Sequence, residues 1–196
     1  MIFKSGKGAG KSGSFFFYSH DRQFIIKTMT KGELELVLKL LPNLSEHFIN
    51  NPTSLLAKIF GVFTIETFRV DKVYVLLMEN TLQLHDVEQL RNIFDLKGST
   101  VNRLVTGCTK PSDTLKDINF LKIKKRNPNL TKMSSQTSLK LATIMSKDVR
   151  FLRQNNLMDY SLLLGIEKKS SNQRKSNQIC NDISYSVAKN SLGSNH

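Results

Sequence analysis

The apolar residues change their period within the first 42 residues, and this change constrains the fold more than any other feature of the sequence. Phe15–Tyr18 and Phe24–Met29 are aromatic and β-branched runs split by the polar turn Ser19-His20-Asp21-Arg22, which reads as a β-hairpin. From Gly32 the period lengthens. Leu34, Val37, Leu38 and Leu41 recur at helical spacing, and Pro42 is expected to end that helix. Two strands followed at once by a helix point away from alternating βαβ units.

The rest of the chain extends this pattern. Ser54–Phe63 is apolar but ambiguous, while Val73–Met78 reads as a fully buried strand that Glu79-Asn80 break. Phe94–Ser99 is a short strand or its exit into a turn, residues 106–117 read as loop, and Lys122–Lys132 is a basic, solvent-facing run. Ser138–Asn156 carries Leu141, Ile144, Met145, Val149 and Leu152 at helical spacing, and Leu157–Ile166 reads as a loop feeding a buried strand. Beyond Glu167 the sequence KKSSNQRKSNQ loses periodicity, so residues 168–196 are expected to form a basic, flexible tail behind a domain spanning 1–167. The fold class is α+β: an antiparallel sheet with helices.

Charge then narrows the partner. Lys and Arg number 29 against 16 Asp and Glu, a net +13, which suits nucleic acid, an anionic membrane or a phosphorylated ligand, or simply a soluble lysine-rich surface. The apolar runs are too short to span a bilayer, and the start lacks the charged-then-apolar pattern of a secretion signal. An intracellular protein is expected. Cys108 and Cys180 lie far apart and form no C-x-x-C, and the four His fit no zinc spacing.

Two phosphate-binding readings compete for Ser5–Ser14. SGKGAGKS resembles a Walker A loop, but Ser5 stands where the first glycine is required, and a strand rather than a helix follows. The second reading is a kinase-type lid, with Gly8-x-Gly10-x-x-Gly13-x-Phe15 leading into a strand and Lys27 closing Phe24-Ile25-Ile26. Glycines let the backbone close over phosphates, and a lysine on the next strand neutralises their oxygens. In the protein-kinase plan a Glu of the helix that follows pairs with this lysine; that resemblance would make Glu33 the partner of Lys27, with Glu35 the alternative. A Gly/Ser-rich start can also be a mere linker.

Two further acids stand out. Asp95 and Lys97 are two apart, on one face of an extended backbone, and Gly98-Ser99 allow a tight turn; an ordinary strand-end ion pair has the same pattern. Asp159 sits among apolar neighbours in Leu157–Leu164, where a carboxylate is either a helix cap or a catalytic group.

Taken in order, Gly10–Phe17, Ile25-Ile26-Lys27-Thr28, Asp95–Ser99 (DLKGS) and Met158–Leu163 (MDYSLL) resemble the phosphatidylinositol phosphate kinase family. Pro52–Leu56, Thr114–Asp117 and Asp148–Leu152 also resemble segments of it, so the likeness covers roughly residues 10 to 167. It implies a distant variant of the two-lobed protein-kinase fold and transfer of phosphate from ATP, with Mg2+, to the inositol ring of a phosphatidylinositol monophosphate. It implies an anionic membrane as partner and a peripheral cytoplasmic location; no nucleic acid is expected, because the phenylalanines cluster in the lid strand and form no aromatic RNA-binding pattern. Gly10, Lys11, Ser12, Gly13 and Ser14 would cover the ATP phosphates, with Lys27 anchoring them. Val73–Asn80 would lie beside adenine, and Asp95 and Lys97 would line the nucleotide and phosphate site. Asp159 would be the catalytic acid beside the attacking hydroxyl.

The family continues to an I-I-D motif whose Asp binds metal, and then to an activation loop. Neither is found in Glu167–His196, and Ile179–Ile183 is no substitute. A truncated catalytic domain is therefore expected, and the alternative function is a catalytically impaired nucleotide- or membrane-binding fragment.

Overall fold

A computed structural model of the chain describes residues 4–6, 14–68, 70–82, 90–107, 110–167 and 183–187. The expected hairpin is present. β2 (Phe16–Tyr18) pairs with β3 (Phe24–Met29), and the turn between them is closed by the Ser19 hydroxyl, which donates to Asp21 Oδ1 at 2.6 Å and accepts the Phe24 N–H at 3.0 Å. β1 (Lys4–Gly6) pairs with β2, and β4 (Ile59–Thr67) pairs with β5 (Val70–Glu79). These five strands form one antiparallel sheet in the order β1-β2-β3-β5-β4. In β5 the centre, Val75 and Leu76, is buried, whereas Asp71 and Lys72 are exposed, so the strand is buried in part.

Thr30 turns the chain from strand to helix. Its hydroxyl accepts the Glu33 N–H at 3.2 Å, while Glu33 Oε2 accepts the Thr30 N–H at 2.8 Å, which satisfies two orphan donors at once. α1 (Lys31–Asn50) then runs straight through Pro42, against the expectation that Pro42 ends it. The proline removes one backbone donor, but it lies exposed, and the helix gains by burying Leu44 and His47 beyond it.

A second sheet is ordered β7-β6-β8-β9, from β6 (Leu90–Leu96), β7 (Thr114–Leu115), β8 (Leu162–Glu167) and β9 (Ile183–Val187). Only β6–β7 is parallel. β9 falls within residues 168–196, where a basic, flexible tail is expected from the sequence. Ile-Ser-Tyr-Ser-Val alternates like a strand, and adding it to β8 satisfies a free row of backbone groups. Residues 168–182 and 188–196 lie outside the described residues.

The basic run also contains more structure than expected. α2 (Asp117–Arg126) and a 3₁₀ turn at Pro128–Thr131 occupy it, with Phe120, Ile123 and Leu130 packed on Phe94, Leu115, Leu164 and Ile166 of the second sheet. Its cations are exposed, as the sequence implied. α3 (Ser135–Gln154) is the long C-terminal helix.

α1 joins the layers. Its Val37 packs with Met29 and Leu76 of the first sheet, while Leu40 and Leu44 pack with Leu56, Phe151 and Leu152. Asp148, almost wholly buried in α3, clamps this junction. Its Oδ1 lies 2.8 Å from His47 Nε2 and accepts the Ser54 hydroxyl at 2.7 Å, and its Oδ2 accepts the Leu55 N–H at 2.8 Å. The fold is thus α+β and largely antiparallel.

Candidate active site

Lys27 lies in the middle of its sheet, opposite Leu76 of β5 and Phe16 of β2. The β3 register turns it, with Met29, toward α1. There Nζ donates to Glu33 Oε1 at 2.9 Å, with side-chain exposures of only 8% and 6%. Glu33, not Glu35, is therefore the partner. Burial alone would raise the Glu33 carboxyl, but the Thr30 N–H and Lys27 outweigh it and hold the group below its ordinary value. The helix cap and the ion pair share one carboxylate, so positioning Lys27 and starting α1 are a single structural event.

Of the lid, Gly10, Lys11, Ser12 and Gly13 lie outside the described residues. Ser14 is buried. Beyond it the chain is tied to β3, since the Phe15 N–H donates to Thr28 Oγ1 at 2.8 Å and the Thr28 N–H donates to the Phe15 carbonyl at 3.0 Å. At the far end of β5, the Asn80 side chain donates to the Arg22 carbonyl at 2.7 Å, which pins the strand exit to the hairpin turn.

The second sheet carries the other residues. Lys97 follows the end of β6, and its ammonium donates to Asp159 Oδ1, although the two are 62 residues apart in sequence. Asp159 sits between α3 and β8 in a left-handed backbone conformation, φ 63°, which Asp tolerates better than most residues. It is not a cap, because α3 closes at Asn155, and it is not buried, its side chain being 58% exposed. Asp95 does not share an ion pair with Lys97. It turns to Arg103, whose Nη2 donates to the Asp95 carbonyl and, at 3.3 Å, to Asp95 Oδ2. Asp95 Oδ1 is buried without a hydrogen-bond partner, and so is Ser161 Oγ.

Two residues without a role in the sequence reading organise this corner. Arg103 Nε donates to Asp117 Oδ2 at 2.7 Å, and Asp117 Oδ1 accepts the N–H groups of Lys97 and Gly98 at 3.0 and 2.9 Å. Burial pushes the Asp117 carboxyl up, but Arg103 and the Gly98 N–H overcome this and hold it below its ordinary value. Burial likewise opposes the Arg103 charge, which the two carboxylates more than restore. The available signal was the helical spacing of Phe120 and Ile123, which would have placed Asp117 in the first turn of a helix.

Lys27 thus sits buried in the first sheet and Lys97 exposed at the end of a strand of the second, each met by its own carboxylate. Such a set can grip phosphate through its cations and take a proton on the accessible acid.

Residues 2–195 match the family model described as Phosphatidylinositol-4-phosphate 5-Kinase. A probable phosphatidylinositol phosphate kinase of Dictyostelium discoideum is 38% identical over 159 residues, covering 80% of this chain and 21% of that protein. The phosphatidylinositol 4-phosphate 5-kinase its3 of Schizosaccharomyces pombe is 34% identical over 168 residues, covering 84% and 22%. The type-1 beta enzyme of Gallus gallus is 34% identical over 168 residues, covering 85% and 30%. The chain therefore spans between a fifth and a third of the length of these relatives.

Proposed function

The chain belongs to the phosphatidylinositol-4-phosphate 5-kinase family, and from that premise we propose that it carries the phosphoryl-transfer centre of a lipid kinase. The reaction is transfer of the ATP γ-phosphoryl group to a ring hydroxyl of a phosphatidylinositol monophosphate, on a two-lobed scaffold related to that of protein kinases. The single observation carrying this reading is the contact of Lys97 with Asp159, from two segments remote in sequence, at a place solvent reaches.

Asp159 takes the proton of the attacking hydroxyl as its oxygen bonds to phosphorus and the bond to the ADP oxygen breaks. Lys97 orients that carboxylate in the resting site and offers its ammonium to the transferred group. Lys27, paired with Glu33, neutralises the remaining ATP phosphates from the first sheet. Gly10–Ser14 close over them, and Val73–Asn80 flank the adenine.

Among the described residues no group of three or more His, Cys, Asp or Glu could hold a metal ion. Magnesium, however, keeps several waters and needs only one or two carboxylates beside substrate phosphates. Asp95, with Oδ1 buried and unpartnered, fits that demand. The ion would supply charge neutralisation at the phosphates.

The substrate lies in an anionic membrane, and Lys122, Lys124, Lys125 and Arg126 of α2 offer exposed cations to it. Among the described residues no helix is long and apolar enough to cross a bilayer. The exposed cations suit a peripheral place at an anionic membrane surface.

The test is Asp159→Asn, assayed with MgATP and vesicles containing phosphatidylinositol 4-phosphate. The amide keeps size and hydrogen bonding but cannot accept the proton. Turnover should fall on the order of 100-fold or more while ATP affinity holds. Unchanged turnover would remove Asp159 from the chemistry. ATP and vesicle binding without transfer by the unaltered chain would favour the impaired-fragment reading.

A further inference from the structure

Asp117 and Arg103 are both buried, yet neither braces the core in the way Asp148 does. Asp148 ties α3 to α1 through His47 and to the segment after α1 through Ser54 and Leu55. Asp117 lies in the first turn of α2 and reaches back 20 and 19 residues to take the backbone N–H groups of Lys97 and Gly98 on one oxygen. Its other oxygen takes Arg103 Nε, while Arg103 Nη2 donates to the Asp95 carbonyl and carboxylate. The bonds thus enclose the turn from Asp95 to Gly98 at both ends. Gly98 adopts φ 70°, a conformation that glycine reaches without strain. Outside that turn, the contact its Lys97 side chain makes is with Asp159.

We propose that Asp117 and Arg103 are positioning residues for phosphoryl transfer: they fix the backbone from Asp95 to Gly98 so that Lys97 meets Asp159. The proposal rests on the reading of Lys97 and Asp159 given above. Asp117 and Arg103 act through the turn, because a carboxylate that accepts two successive backbone donors and a guanidinium sets the path of the chain, and a small misplacement of a reacting group costs heavily in rate.

The test uses the full chain with Asp117→Asn, Arg103→Lys, Lys97→Ala and, as a control destabilised elsewhere, His47→Gln. Two quantities are followed: amide hydrogen exchange at Lys97 and Gly98, and kcat separately from KM for ATP. Asp117→Asn should speed exchange at those two amides about tenfold, with β5 and α1 unchanged. It should lower kcat on the order of 100-fold and leave KM for ATP within about twofold. Arg103→Lys, which keeps the charge but not the fork, should fall between Asp117→Asn and the parent. In the Lys97→Ala background Asp117→Asn should cost little more, because it acts through that lysine. His47→Gln should lower the melting temperature without changing kcat per folded chain. Unchanged exchange at Lys97 and Gly98 in Asp117→Asn overturns the proposal whatever the turnover. So does unchanged kcat in that variant when Lys97→Ala is impaired. Full turnover in Lys97→Ala sinks the underlying reading as well.

Discussion

The two lysine–carboxylate pairs differ in how they are built, and the difference separates an anchor from a reacting group. Lys27–Glu33 is made by regular elements: a mid-sheet strand position supplies the ammonium and a helix cap supplies the acid. Both charges have left water, so each depends on the other. Lys97–Asp159 is made by two irregular segments, and its members stay 27% and 58% exposed. Water screens that pair, so it adds little to stability, but a substrate can enter it. An ATP-gripping lysine gains from rigidity, whereas an acid that must meet a lipid hydroxyl gains from access.

The contrast can be broken at its strongest point. Lys27→Ala strands Glu33 in the interior and should cost about 3–5 kcal/mol in urea unfolding, besides abolishing ATP binding by calorimetry. Replacing both partners, Lys27→Met with Glu33→Leu, should recover most of that stability but none of the ATP affinity, short of about 1 kcal/mol for the lost cap. A loss for Lys27→Ala no larger than that of a surface lysine would end the comparison.

Acid should act next most strongly, and through the buried acids. Glu33 and Asp117 are both held below their ordinary values, so their contribution is complete above the ordinary carboxylate range and is lost as pH falls through the folded-state values. The urea midpoint should therefore drop below roughly pH 4 more steeply in the parent than in Glu33→Gln. Parallel curves would mean that Glu33 is not held low. The smallest effect belongs to the exposed pair. Lys97→Ala should change unfolding free energy by less than about 1 kcal/mol, and a larger change would place that pair with the buried kind.

Much of this was legible in the residues. The β2–β3 hairpin and the helix after it follow from period and order alone, because each depends on neighbours within a few positions, whereas the kinase resemblance pointed to Glu33 and left Glu35 open until the cap geometry decided between them. Helix α1 passing Pro42 was hidden, since what carries it onward is contact with Leu152, more than 100 residues away. α2 was masked by its own cations, which drew attention from Phe120 and Ile123 on its apolar side. β9 needed the free edge of β8 to give a five-residue alternation meaning. At the site, spacing placed Asp95 and Lys97 together, but Arg103 drew one away and Asp159 took the other. Loop geometry decided both, and periodicity does not encode it.

Asp117 grips the amide hydrogens of Lys97 and Gly98 rather than their side chains, and every residue except proline carries such a hydrogen. The shape of the turn is accordingly independent of what position 97 displays. A different side chain there would inherit the same mounting, so the chemistry of this corner can be exchanged without redrawing its architecture. Position 98 is tied doubly, by its donated hydrogen and by its φ of 70°, and has no such freedom. The mount and the tool it holds are separable parts of one four-residue turn.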